Sequence, residues 1–219
     1  MSEKMLVTQA LDERDLLVSK IGDKINKIKT VDTKKRNEEK TIDARVTVDE
    51  FGSSSQSAYQ QIMDLIERYQ RLDAAIVASN AASKVTTSYG EFTVAGAIAL
   101  RNRLRGMGLY EDEANFESKL AEILEKQYAA AVQTAEFKNK TLDSQAENMR
   151  LSILGKDSKL KDAKPLEVVD TYVRENTTEI IDPLDSQAKA HALREKADSL
   201  ITELDTQIKV SNATTTIEF

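Results

Sequence analysis

The chain has no cysteine and no tryptophan, a single histidine, two prolines and seven glycines among its 219 residues. Without thiols it has no disulfide framework, no thiolate nucleophile and no cysteine-ligated metal, which suits a reducing compartment; a cytoplasmic location is expected. One histidine, His191, excludes histidine-rich metal sites and leaves any Ser-His-Asp triad dependent on a residue set in the helical run AKAHALREK. No P-loop or dinucleotide glycine fingerprint is present, so no catalytic residue, metal or cofactor is expected. So few glycines and prolines leave little punctuation for an all-β or doubly wound fold. There is also no run of about 18 apolar residues that could span a membrane, and MSEKMLVTQALDERD carries acids where a signal peptide needs a basic start.

What is abundant points to helix. Charged residues make up 31% of the chain and hydrophobic ones 40%, with good helix formers throughout. The formal net charge of −6 disfavours non-specific nucleic-acid binding. A mainly all-α fold is expected: one antiparallel helical-bundle domain over residues 1–219, with long coiled-coil-like helices, a small β-ribbon element and β-containing insertions near 40–52 and 156–182.

The first helix is expected from about Glu3 to Lys29, with Val7, Leu11, Val18, Ile21, Ile25 and Ile28 as its apolar stripe. Alternation at Ile42, Ala44, Val46 and Val48 suggests a ribbon, followed by a serine run at 53–55 that would cap the next helix. Ala58, Ile62, Leu65, Tyr69, Leu72, Ile76 and Ser79 form a coiled-coil seam over about three heptads. A turn at Tyr89-Gly90 and a cap at Thr93 open a third helix over about 94–105. A long helix from about Asp112 presents Phe116, Leu120, Ile123, Gln127, Ala130, Thr134 and Phe137 on one face and stops at Gly155. Residues 156–182, which hold both prolines, read as a loop with short strands or a short helix. A last helix from about Leu184 ends at Ser211.

Two helix ends repeat each other. LDAAIVASNAASKV at 72–85 and LDTQIKVSNATTTI at 204–217 match at Leu72/Leu204, Asp73/Asp205, Ile76/Ile208, Ser79/Ser211, Asn80/Asn212 and Ala81/Ala213. Asparagine tolerates the left-handed conformation, so Asn80 and Asn212 read as matched helix stops. Five residues on, Val85 and Ile217 are placed to return the chain to the core in extended form. If the two helices run in parallel, their ends meet in a polar cluster that is either a structural hydrogen-bond network or a ligand recess.

These residues carry a resemblance. QALDERDLLVSKI, IVASNAASKV followed by EFTVAGAIALRNRL, and the closing LREKADSLITELDTQIKVSNATTTIEF resemble the septicolysin-like family of small helical bacterial and phage proteins. Ala10, Leu11 and Arg14 fit its opening motif, Ile76 and Asn80 a helix end, Arg101 an arginine position, and Leu204, Asp205, Ile208 and Asn212 the close. Asn102 stands where the family has an acid after the arginine, and Ala213 where it has a tryptophan.

Arg101 has two readings: an ion pair with Asp73 or Asp205, or a ligand-binding recess with Asn80, Asn212, Thr215 and Tyr89. The planar guanidinium in such a recess would suit phosphate or carboxylate. The expectation is a non-enzymatic homo-oligomeric binding protein that sequesters a small anionic, nucleotide-like ligand, such as a phage counter-defence protein, with no nucleic-acid or membrane partner. The alternatives are a structural or assembly protein that binds a macromolecular partner, and a pore-forming cytolysin-like protein.

Overall fold

A computed structural model describes residues 3–108, 111–155 and 164–219. The fold is mainly α-helical, as the composition predicts. Among the described residues there are six α-helices, α1 (Val7–Lys27), α2 (Val48–Ala82), α3 (Val94–Leu104), α4 (Phe116–Leu154), α5 (Lys164–Asn176) and α6 (Ser186–Thr214), with four short strands, β1 (Lys4–Leu6), β2 (Lys84–Thr87), β3 (Gly90–Thr93) and β4 (Thr216–Glu218). Where the sequence suggests a single bundle domain, the contacts divide into two compact units: Met1–Asn102 with Leu200–Phe219, and Arg103–Ser199.

In the first unit the predicted seam of α2 is real, and its partner is α1. Ile62, Leu72 and Ile76 are buried, with Leu65 and Tyr69 partly covered. Cross-links run antiparallel along the pair, from Glu13–Arg68 and Arg14–Asp73 to Lys24–Gln61. Helix α1 starts later than its periodicity suggests, because Lys4–Leu6 is a strand. It buries Val7, Ala10 and Leu17, while Val18 and Ile25, expected on the covered stripe, are exposed. Leu11 and Ile21 of the expected stripe do pack against this core, so the covered face is rotated from it by only a fraction of a turn.

The serine run does not cap α2. Thr47 does, in a reciprocal capping box: its hydroxyl accepts the Glu50 N–H at 3.3 Å and the Glu50 carboxylate accepts the Thr47 N–H at 2.9 Å. Val48 therefore opens the helix, and Ser55 instead donates to the Lys29 carbonyl, tying the preceding connection to α2. The ribbon expected near 40–52 reduces to a single bridge between Lys40 and Thr47. What orders this connection is Asp32, whose side chain is only 1% exposed. It accepts the backbone N–H groups of Thr33, Ala44 and Asp43 and sits 3.3 Å from the Lys29 ammonium. These donors, Ala44 foremost, hold its carboxyl well below the usual carboxylate range.

Asn80 and Asn212 lie inside the last turns of α2 and α6, not at their ends. The helices run on to Ala82 and Thr214 and close through Ser83 N–H to the Ser79 carbonyl and Thr215 N–H to the Ser211 carbonyl, both at 2.8 Å. Residues 79–82 and 211–214 keep right-handed backbone, so no left-handed stop is required. The extended returns are there as predicted: Val85 on β2 and Ile217 on β4 are buried.

The repetition then extends well beyond the helix ends. Strand β2 pairs antiparallel with β3, which leads directly into α3; β4 pairs antiparallel with β1, which leads directly into α1. Val85 lies opposite Phe92, and Ile217 opposite Met5. The Val94 N–H reaches the Ser83 carbonyl, and the Val7 N–H reaches the Thr215 carbonyl, each at 2.9 Å. The cluster Val7, Ala10, Leu17, Leu72, Ile76 and Ile217 has a buried counterpart at every position, in order Val94, Ala97, Leu104, Leu204, Ile208 and Val85. The first unit is thus one helix–strand–strand–helix module used twice. One copy is continuous (α2-β2-β3-α3), and the other joins α6-β4 to β1-α1 through bonds between Glu3 and Phe219.

In the second unit α4 starts where Asn115 caps it, accepting the Ser118 N–H at 3.3 Å, and ends at Gly155, whose φ of 52° lies in the region glycine favours. Its buried residues are Ala121, Ala135, Leu142 and Ala146. The larger apolar face predicted from Phe116 to Phe137 is the exposed one, and the smaller alanines are covered instead. Helix α5 occupies 164–176, and no strand occurs among the described residues of 156–182. Residues 109–110 and 156–163 lie outside the described residues. Arg150 pairs with Asp170 at 2.8 Å, and the Asn139 side chain brackets Thr178 by donating to its carbonyl and accepting its N–H.

Candidate functional site

The polar chemistry of the first unit is also duplicated. Arg101 on α3 binds Asp205 on α6 at 3.2 Å, and Arg14 on α1 binds Asp73 on α2 at 3.4 Å. Arginine corresponds to arginine and aspartate to aspartate between the two modules, and each pair joins one module to the other. Both pairs are partly covered: the Arg101 and Asp205 side chains are 23% and 28% exposed, against 33% and 39% for Arg14 and Asp73.

The next residue sets the two sites apart. The Arg14 guanidinium has the Asp15 carboxylate 3.6 Å from Nε, so it faces two acids. At the matching position Asn102 supplies a neutral amide oxygen, at 3.4 Å from Nε and 3.2 Å from Nη2 of Arg101. Arg101 therefore faces one carboxylate and one dipole.

The other residues of the expected recess are distributed along this end of the unit. Ile217 packs with Leu72 and Ile76, so α2 and α6 do finish at the same end, as the repeated sequence suggests. Asn80 and Asn212 are half-buried in the last turns. Thr215 is the joint between α6 and β4, where its carbonyl receives α1. Tyr89 is exposed at the tip of the β2–β3 turn, with its N–H on the Thr87 hydroxyl at 3.2 Å. Asp205, which holds Arg101, lies about two helical turns (~10 Å) before Asn212 on α6. Arg101 makes the ion pair with Asp205 that one of its two readings gives, and its guanidinium also meets the Asn102 amide oxygen.

Two further anchors had no sequence signal. Glu203 on α6 accepts both the N–H and the hydroxyl of Ser88, at 2.7 and 2.6 Å, clasping the tip of the β2–β3 turn. These bonds, led by the Ser88 hydroxyl, lower its carboxyl pKa. On the other hairpin, Arg68 of α2 holds Glu3 at 2.8 Å and Glu13 at 2.5 Å, and stacks 5.4 Å from the Phe219 ring centroid. The hydrogen bonds it donates to Glu3 and Glu13 raise its pKa further. Each hairpin is thus gripped by the long helix of the opposite module.

Among the described residues no group of three or more histidine, cysteine or acidic side chains is placed to hold a metal ion, and no helix is long and apolar enough to cross a membrane. His191 is exposed on α6 and lies 3.5 Å from Glu195, one turn along.

Comparison with protein-family models, curated proteins and solved structures found no match to this chain. Ala10, Ile76, Leu204 and Ile208 are buried in the duplicated core, and Arg14, Arg101 and Asp205 form the inter-module ion pairs.

Proposed function

We propose that this is a non-enzymatic cytoplasmic protein that works by helix-to-helix association, as an assembly or binding module. The observation that carries this reading is the outer face of α4, where Phe116 and Phe137 are 64% and 73% exposed and Leu120 and Ile123 about half so. Aromatic and aliphatic side chains spaced along one helix face are the pattern used by helices that meet a partner. The seam from Ala58 to Ser79 is packed against α1, which leaves the α4 face as the longer exposed stripe. A photo-cross-linking amino acid at Leu120 in the intact chain, activated in cells, is expected to give a discrete protein adduct. A control at exposed Lys189 is expected to give none. Absence of any Leu120 adduct would overturn the reading.

A second reading, in which the protein sequesters a small anion such as a nucleotide, is favoured by the difference between the two arginine sites. With one acid in place of two, Arg101 keeps more of its positive potential for a phosphate or carboxylate than Arg14 does. Calorimetry against a panel of nucleotides is expected to detect a ligand that Arg101→Met abolishes and Arg14→Met leaves. Equal loss in both variants, or no binding to any member, would count against this reading.

A further inference from the structure

The exposed stripe of α4 has a charge signature that selects among occupants. Phe116, Leu120, Ile123, Gln127, Ala130, Thr134 and Phe137 recur at alternating steps of four and three, the seam of a helix pair, on the side opposite buried Ala121 and Ala135. Lys119, Lys126 and Lys140 border the seam on one side and Lys138 on the other; the one acid beside it, Glu117, is taken by Arg103 at 2.7 and 2.8 Å. Two α4 stripes laid antiparallel would set lysine against lysine, which costs rather than stabilises.

The outer face of α2 has the complementary character. Tyr59, Met63 and Val77 are exposed and Ile66 is half-buried on one line of the helix, with a shallow hollow of about 440 Å³ that also takes in Asp64 and Glu67. Arg68, next to Glu67, is engaged by Glu3 and Glu13, and Arg71 lies one turn beyond Glu67. The lengths agree, at about 31 Å from Phe116 to Phe137 and about 27 Å from Tyr59 to Val77.

We infer that α4 of one copy docks along the outer face of α2 of a second copy, apolar seam on apolar line, with Lys126 and its neighbours against Asp64 and Glu67. This rests on the association reading above and names the partner as the chain itself. A stripe of ~30 Å by ~10 Å is small for a protein interface, so micromolar rather than nanomolar strength is expected.

Sedimentation velocity of the full chain, from roughly 1 to 300 µM at low salt, tests it. Self-association is expected. Phe137→Asp and Lys126→Glu should each weaken it by about tenfold or more, and pairing Lys126→Glu with Glu67→Lys should restore it to within about threefold. All three positions are exposed, so circular dichroism should be unchanged. A chain that self-associates but ignores Phe137→Asp, or shows no rescue by the exchanged charges, overturns this contact and leaves the association reading standing. A chain that stays monomeric throughout also overturns it, and the Leu120 adduct then reports a different protein as partner.

Discussion

Leu72→Ala and Leu204→Ala are each expected to lower the unfolding free energy by about 2–5 kcal/mol, the range for deleting a leucine side chain from a packed interior. Both residues are fully buried, Leu72 in a cluster with Val7, Ala10, Leu17, Ile76 and Ile217 and Leu204 at the matching position of the repeated sequence, one turn before buried Ile208. Because the buried residues at matching positions are the same types, apart from Val85 for Ile217, both losses should fall in this range. Urea unfolding followed by circular dichroism measures both. Each loss should appear in the denaturant midpoint with the slope preserved. A loss confined to one of the two would show that only one module forms a tight interior.

The second large effect is expected at the inter-module ion pairs. Replacing Arg101 with methionine leaves Asp205 partly covered and without its guanidinium, at a cost of about 1–3 kcal/mol. A double-mutant cycle of Arg101→Met with Asp205→Asn should give a coupling energy of about 1 kcal/mol, against about half that for Arg14→Met with Asp73→Asn. The ordering follows from exposure and distance: the Arg101 pair is the more covered and the shorter of the two. Raising the salt concentration should reduce the Arg14 coupling more, since screening acts on the better-solvated charges. Equal couplings at both pairs would remove the physical basis for assigning different roles to the two arginines.

Periodicity was enough to locate the long helices, and the matched words at Asn80 and Asn212 correctly pointed to a shared end with extended returns at Val85 and Ile217. The seam of α2 was readable because seven residues kept step with the helix. Periodicity could not show which of two apolar faces is covered. On α4 the small residues Ala121, Ala135 and Ala146 are buried and the larger Phe116 and Phe137 are exposed, the reverse of what hydrophobic weight alone suggests. The strand at Lys4–Leu6 was hidden for a related reason: three residues pair with a segment at the far end of the chain, and no local pattern encodes that partner. The match of Ala10 to Ala97, Arg14 to Arg101 and Leu17 to Leu104 was present in the letters, but spacing among so many other helical residues gave it no prominence until the strands supplied the register. Asp32 was invisible because its role depends on three backbone N–H groups, two of them about a dozen residues away.

The two modules end in matched antiparallel strand pairs but are reached at different entropic cost. In α2-β2-β3-α3 the partners are close neighbours along the chain, and a short turn at Ser88 and Tyr89 brings the strands together. In the other copy, Met5 and Ile217 must find each other across almost the whole polypeptide, and closing so long a loop is unfavourable until other contacts compensate. The contiguous hairpin is therefore the natural nucleus, with the split one completed late against it, so that equal native interactions contribute unequally to the rate-limiting step of folding.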